Sequence, residues 1–277
     1  MPEGDTLFRA ARTLHRALAG KPVVRFETAL AHLSRVNDDA PIAGRRVERV
    51  HSVGKHLLIE FSDDLVLRTH MRMAGSWHVY RPGERWQRPR SAMRVVVETA
   101  DFQAVAFDVP VAEFRTGRQL ARDAAVASLG PDLLNPDFDE AEAVRRLRER
   151  GALAVGDALV DQRALAGIGN VFKSEVCFAE RVHPFTPVAA LEDASLLRLV
   201  RTARQFLGMN VLESSGSGMV TTGRSDPSAR LWVYGRAGEP CRVCGEPIRL
   251  ERRGLQARST YFFPRCQFSE VSGTSLA

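Results

Sequence analysis

The first strong pattern along the chain has helical spacing. From Asp5 to Leu18 the apolar residues Leu7, Ala11, Leu14 and Leu18 fall on one face, and Gly20 then supplies a natural helix stop. An amphipathic helix is therefore predicted almost at the start. From Val23 to Phe107 the texture changes to short aliphatic runs such as Leu57-Leu58-Ile59, Leu65-Val66-Leu67 and Arg94-Val95-Val96-Val97. Turn residues, Asp63-Asp64 and Pro82-Gly83 among them, separate these runs, which predicts an antiparallel sandwich or barrel. Leu129-Gly130-Pro131-Asp132, followed by Asn135-Pro136, marks a linker and a domain boundary. Beyond it the pattern turns helical: Asp139 can cap a helix running to about Arg150, and further helices are expected at Val155–Gln162, Asn170–Glu180 and Ala190–Leu207. The stretch Leu212–Arg230, rich in Ser, Gly and Thr, reads as a mobile loop, and Trp232–Gln267 as a β-hairpin held by a metal knuckle. No internal repeat is visible.

Composition narrows the class. A chain of 277 residues has room for two domains, and 44% hydrophobic with 26% charged residues excludes disordered and collagen-like chains. The net charge of +6 points to an anionic partner. Among 39 basic residues only Lys21, Lys55 and Lys173 are lysines, an imbalance that GC-rich coding alone can produce. Each remaining Lys marks a place where a compact ammonium is preferred to a planar guanidinium. No apolar run approaches the roughly 20 residues that span a bilayer, and no charged-then-apolar leader opens the chain, so a cytoplasmic, non-membrane protein is expected.

Three segments carry chemistry. In Met1-Pro2-Glu3-Gly4-Asp5 the small second residue favours removal of Met1, which leaves Pro2 as a secondary amine beside a carboxylic acid. An α-amino group has a pKa of about 8, so a usable fraction is an unprotonated nucleophile near neutral pH. Such an amine condensing with a sugar aldehyde carbon gives a cationic iminium, an electron sink for elimination, and Glu3 is placed to move the protons. If Met1 stays, the Pro2 nitrogen is an amide and cannot attack. The second segment, Leu159-Val160-Asp161-Gln162 then Ala166-Gly167-Ile168-Gly169-Asn170, reads as helix, glycine turn and helix start, with Asn170 at or near the N-cap of a phosphate site. A tight turn between packed helices is the plain alternative. The third runs from Tyr234-Gly235-Arg236 through Cys241-Arg242-Val243-Cys244 to Pro264-Arg265-Cys266-Gln267. These three of the four cysteines point to metal rather than disulfide, whereas Cys177, in an apolar helical stretch, reads as a small buried hydrophobe.

Together, and in this order, these segments resemble the formamidopyrimidine-DNA glycosylase and endonuclease VIII family of base-excision repair enzymes, from Pro2 to Gln267. The resemblance implies an α+β fold: residues 1–130 as a catalytic β-sandwich with flanking helices, 131–230 as a helix-two-turn-helix domain, and 231–268 as a zinc-finger-type hairpin. It implies a DNA glycosylase and AP lyase acting as a monomer on double-stranded DNA with oxidised bases or abasic sites, through β,δ-elimination. Pro2 is then the nucleophile at the sugar C1′, Glu3 the general acid and Lys55 a phosphate-binding lysine of the sheet that assists catalysis, with no catalytic cofactor. Gly169, Asn170 and Arg258 match the grip on the phosphates around the damaged nucleotide, and Arg72, Met73 and Ala74 match the wedge that fills the hole left by the flipped base. Phe107-Asp108-Val109-Pro110-Val111 stands where formamidopyrimidine-type members carry an Arg-Arg-Phe-Gly loop, which favours oxidised pyrimidines over 8-oxoguanine. A non-catalytic damaged-DNA-binding relative, a zinc-ribbon RNA binder and formamidopyrimidine-type specificity are the alternatives. The zinc set departs from the family: Cys241, Cys244 and Cys266 are present, but Phe263 stands at the fourth ligand position, so a metal-free or weakly metallated hairpin is expected.

Overall fold

The computed structural model describes residues 2–212, 218–224, 226–253 and 257–267. The chain forms two compact units, Met1–Ser128 and Leu129–Ala277.

The first unit opens with helix α1 (Gly4–Leu18), which buries Leu7, Ala11, Leu14, Ala17 and Leu18, the predicted stripe plus Ala17. Then come β1 (Arg25–Thr28), α2 (Ala31–Asp39), β2 (Val47–Val53), β3 (His56–Phe61), β4 (Leu65–His70), β5 (Ser76–Tyr80), β6 (Met93–Glu98), β7 (Gln103–Phe107) and β8 (Val111–Thr116). They make two four-stranded antiparallel sheets, ordered β1-β6-β7-β5 and β2-β3-β4-β8. Leu57, Ile59 and Leu67 of one sheet share a core with Val95, Val97 and Ala106 of the other and with the apolar face of α1. The intervening Val96, Val105 and Phe107 join a second apolar cluster with Tyr80 and Met93. Both faces of β6 and β7 are therefore buried, which is why these strands read as unbroken apolar runs rather than as alternation. Asp63 and Asp64 turn the β3–β4 connection with φ of 62° and 54°, a region Asp tolerates better than most residues.

Helix α2 lies inside the segment read as all strand. It buries only Leu33, so it leaves no apolar stripe to detect. The short helices α3 (Gly117–Arg122) and α4 (Ala124–Ala127) bury nothing and rest on their caps, Thr116 with Gln119 in a capping box and Asp123 bonded to the Ala125 amide.

The second unit contains α5 (Glu140–Arg148), α6 (Val155–Val160), α7 (Asn170–Ala179) and α8 (Asp193–Leu212), packed around Leu147, Leu159, Phe172, Leu196 and Leu199. Asp139 caps α5 as expected, accepting from the Glu142 amide at 2.9 Å. A two-stranded antiparallel hairpin, β9 (Arg249–Arg253) and β10 (Arg258–Phe262), completes it. Helix α8 runs past its expected end because Asn210 is buried and useful. Its Nδ2 donates to the Val220 carbonyl at 2.7 Å and its Oδ1 accepts from the Val220 amide at 2.8 Å. The expected loop is thus ordered at Val220 and Thr221, both buried, while residues 213–217 and 225 of it lie outside the described residues. Among the described residues no helix is long and apolar enough to cross a membrane.

Candidate functional site

Pro2 and Glu3 lead directly into α1. Glu3 occupies the N-cap position, its carbonyl accepts from the Leu7 amide at 3.1 Å, and the residue is fully buried, while Pro2 is half-buried. A carboxyl group held at the positive end of a helix is stabilised by the aligned peptide dipoles. Asp5, one residue into the helix, is buried as well; burial pushes its carboxyl up, against the opposing pull of Arg9 at 3.3 Å. Met1 lies outside the described residues.

Lys55 sits at the two-residue turn joining β2 to β3, beside Gly54 at φ 56°, and not within a strand as its sheet assignment suggests. It is half-buried. Burial first, then the positive charges of Lys55, Arg72 and Arg68, hold His70 below the usual histidine range. The His70 Nδ1 accepts from the Arg72 amide at 3.1 Å, and its ring meets that of His56 edge-on at 5.0 Å. His56 in turn lies 3.3 Å from Arg68, whose guanidinium pairs with Glu113 at 2.7 Å and Asp123 at 3.5 Å. Sequence reading passed over His70 and Arg68; the one signal present was the position of His70 directly before Met71-Arg72-Met73.

Desolvation beside these cations lowers His56 from 6.5 to about 4. Between those two pH values the unfolded chain binds a proton that the folded chain refuses. This contribution to stability is therefore complete above pH 6.5 and lost as pH falls toward 4, with a full size on the order of 3 kcal/mol. Urea unfolding between pH 7 and 4 should show it, and His56→Asn should flatten the decline. An unchanged slope in that variant would assign the acid sensitivity elsewhere.

Arg72 and Met73 lie on the β4–β5 connection, a tight turn in which Arg72 takes φ 48° and the Gly75 amide donates to the Met71 carbonyl at 2.9 Å. A Cβ at Gly75 would stand 2.6 Å from that carbonyl oxygen, so the turn requires glycine. Met73 is 71% exposed and Met71 only 2%, so Met71 is the core residue and Met73 projects outward. Asp108 shapes the corner from β7 to β8 at φ 49°, paired with Arg88 and lying 3.7 Å from Arg94, with Val109 buried behind it.

In the second unit Gly169 is the N-cap of α7 and Asn170 its first helical residue, not its cap. The Asn170 side chain does different work: its Nδ2 donates to the Ser259 carbonyl at 2.7 Å, next to Arg258 at the start of β10. The structure thus brings together two residues far apart in sequence. Gln162 shapes the glycine turn between α6 and α7, accepting from the Gly167 amide at 3.1 Å and donating to the Ile168 carbonyl at 3.0 Å. One turn into α7, Lys173 is fully buried and donates to the Thr260 hydroxyl at 2.7 Å and the Ser259 carbonyl at 3.3 Å. Glu175 accepts from the amides of Trp232, Val233 and Tyr234 at 2.7–2.8 Å and from the Thr221 hydroxyl.

The Sγ atoms of Cys241, Cys244 and Cys266 lie within 4.8 Å of one another, and among the described residues no His, Cys, Asp or Glu joins them. Three donors fall one short of the closed tetrahedral shell that structural zinc almost always takes. Phe263 is buried in an apolar cluster with Cys241, Phe178, Val233 and Ile248. Cys177 is buried apart from this set, and burial pushes its thiol up to about 12, which fits an inert core residue.

Residues 1–111 match the family model described as the formamidopyrimidine-DNA glycosylase N-terminal domain, and residues 129–221 that described as its H2TH domain. Sandwich and helical unit together therefore define a DNA-repair glycosylase architecture. The chain is 42% identical to a probable endonuclease 8 2 of Streptomyces coelicolor, over 96% of this chain and 94% of that one. It is 40% identical to the DNA-(apurinic or apyrimidinic site) lyase Nei2 of Mycolicibacterium smegmatis, over 96% and 99%. The chain belongs to the formamidopyrimidine-DNA glycosylase and endonuclease VIII family, on its endonuclease VIII side. Its fold is that of the Lactococcus lactis Fpg (MutM) bound to DNA containing N7-benzyl-Fapy-dG, with a TM-score of 0.79 at 24% identity, covering 96% of this chain and 99% of that one.

Proposed function

We propose that this chain is a cytoplasmic, monomeric DNA glycosylase and AP lyase of base-excision repair that prefers oxidised pyrimidines. The observation that carries the reading is the Pro2-Glu3 pair leading into α1, with Glu3 wholly buried, in a chain of this family. The Pro2 amine attacks the sugar C1′, the C1′–N bond breaks toward the base, and Glu3 supplies the proton that the departing base or the opening ring needs. The resulting iminium acidifies the neighbouring C2′ position, so loss of that proton expels the 3′ phosphate and a second elimination expels the 5′ phosphate. Lys55 binds a backbone phosphate beside His70, and Asn170 with Arg258 grips the phosphates flanking the lesion. Met73, exposed on a rigid turn, is an apolar filler for the gap left by the flipped base. On this reading residues 1–130 form the catalytic domain, 131–230 the helix-two-turn-helix domain and 231–268 the hairpin.

Because the grip is mostly on phosphates, affinity should fall steeply with salt. Asn170→Ala and Arg258→Ala should each weaken binding to every lesion alike, by about tenfold at moderate salt, since phosphate contacts position a protein without reading bases. Fluorescence anisotropy against a panel of damaged duplexes checks this, and a defect confined to one lesion would remove the pair from the phosphate grip. Substrate preference follows from the Asp108 corner. 5-Hydroxyuracil or thymine glycol should be excised faster than 8-oxoguanine opposite cytosine in single-turnover assays, and the reverse order would establish formamidopyrimidine-type specificity.

A further inference from the structure

We propose that Cys241, Cys244 and Cys266 form a three-thiolate site for a soft, low-coordinate cation of the Cu(I) class, in place of a closed zinc knuckle. The knuckle turn is built by its own backbone: the Gly245 amide donates to the Cys241 carbonyl at 2.9 Å, the Cys241 amide to the Glu246 carbonyl at 2.7 Å, and Gly245 takes φ 82°. Cys244, on this turn, lies 3.6 Å from Cys266. The Val243 amide donates to the Cys241 sulfur at 3.5 Å, which fixes the direction of that sulfur on the turn.

The surroundings select the ion. Thiolates are soft donors and suit soft ions such as Cu(I), whereas zinc in a structural role calls for a fourth ligand. On the inner side, Cys241 is packed against Phe263, Phe178, Val233 and Ile248, a hydrocarbon wall with nothing to offer zinc. On the outer side Cys244 is exposed, and Cys266 lines a cleft with Trp232, Val243 and Arg265, so an ion can enter from solvent. A cation content with three sulfurs needs no more than this. Contacts other than an ion also hold the hairpin: Lys173 donates to Thr260 of β10, and Gln267 clamps its far end, accepting from the Phe263 amide at 2.6 Å and donating to the Val182 carbonyl at 2.9 Å.

The test uses the full-length, reduced protein titrated anaerobically with Cu(I) against a chromophoric Cu(I) chelator, and separately with Zn(II) against a zinc indicator. The expected result is one Cu(I) per chain, three sulfur neighbours in copper-edge X-ray absorption, and protection of Cys241, Cys244 and Cys266 from alkylation. Each single Cys→Ser variant should bind Cu(I) at least tenfold more weakly, and zinc should be stripped by a mild chelator. Phe263→Cys should raise zinc affinity at least a hundredfold. The alkylation footprint of the unmutated chain keeps the test independent of whether any variant folds. One tightly held zinc per chain, copper bound without thiol protection, or a Cys244–Cys266 disulfide as the resting state of reduced preparations would each overturn the proposal.

Discussion

Borohydride added to this protein and a duplex containing an oxidised pyrimidine should trap one covalent complex, and any residue left uncleaved ahead of Pro2 should abolish it. The reason is valence. A free prolyl nitrogen is a secondary amine that can form a reducible iminium with C1′, whereas an acylated one has its lone pair in an amide and cannot. The loss should be total within detection, more than a thousandfold, and Pro2→Gly with its N-terminus free should retain part of the trapping because a primary amine can also condense. Intact-mass measurement showing Met1 retained in a preparation that still traps would end the proline mechanism. Glu3→Gln separates the two halves of the reaction. It keeps the size and burial of Glu3 but removes its acid, so excision of an intact damaged base should fall by 10²–10⁴, the usual worth of general acid catalysis. Cleavage at a pre-formed abasic site should fall far less, because no base departs there. Equal losses on the two substrates would take the acid role from Glu3.

How much of this is legible in the sequence depends on which physical signal each part leaves. The amphipathic stripe of α1 and the sandwich strands announce themselves through burial, because one face or both must leave water. Helix α2 and the pair α3 and α4 do not, since α2 buries one residue and the other two, set by their caps, bury none. The same distinction runs through the site. Pro2, Glu3, the Gly167–Gly169 turn and the cysteines stand out in the sequence because their residue types and spacing suggest a chemistry by themselves. His70, Arg68, Lys173 and Glu175 are not, because each matters through a partner distant in sequence: Arg68 pairs with Glu113, and Lys173 reaches Thr260. Asn170 shows both at once. Its place after the glycine turn makes it a candidate at or near the N-cap, and it is indeed the first residue of α7, but the commitment of its side chain to Ser259 on the hairpin leaves no local signal.

That tertiary wiring sets the second large effect. Glu175 is fully buried with four donors aimed at its two carboxylate oxygens, three of them the consecutive amides of Trp232, Val233 and Tyr234. Burial pushes this carboxyl up while these donors oppose it, and every one of them is satisfied by an ionised acid. Glu175→Ala strands those donors in a fully buried site, at about 1–3 kcal/mol for each donor left unpaired. Even with partial relaxation, the transition of the helical unit should lose about 4 kcal/mol in urea unfolding, while that of the sandwich unit holds. Lys173→Met makes the complementary case, because it keeps the volume of the buried stem and removes the ammonium with its bonds to Ser259 and Thr260. Its stability loss should be near 1–2 kcal/mol, but DNA affinity should fall about as far as in Arg258→Ala, since β10 then loses the anchor that sets Arg258 beside Asn170. Measuring both variants at one salt concentration is decisive: an unfolding penalty with unchanged DNA affinity in Lys173→Met would mean that α7 supports the hairpin without positioning the phosphate grip.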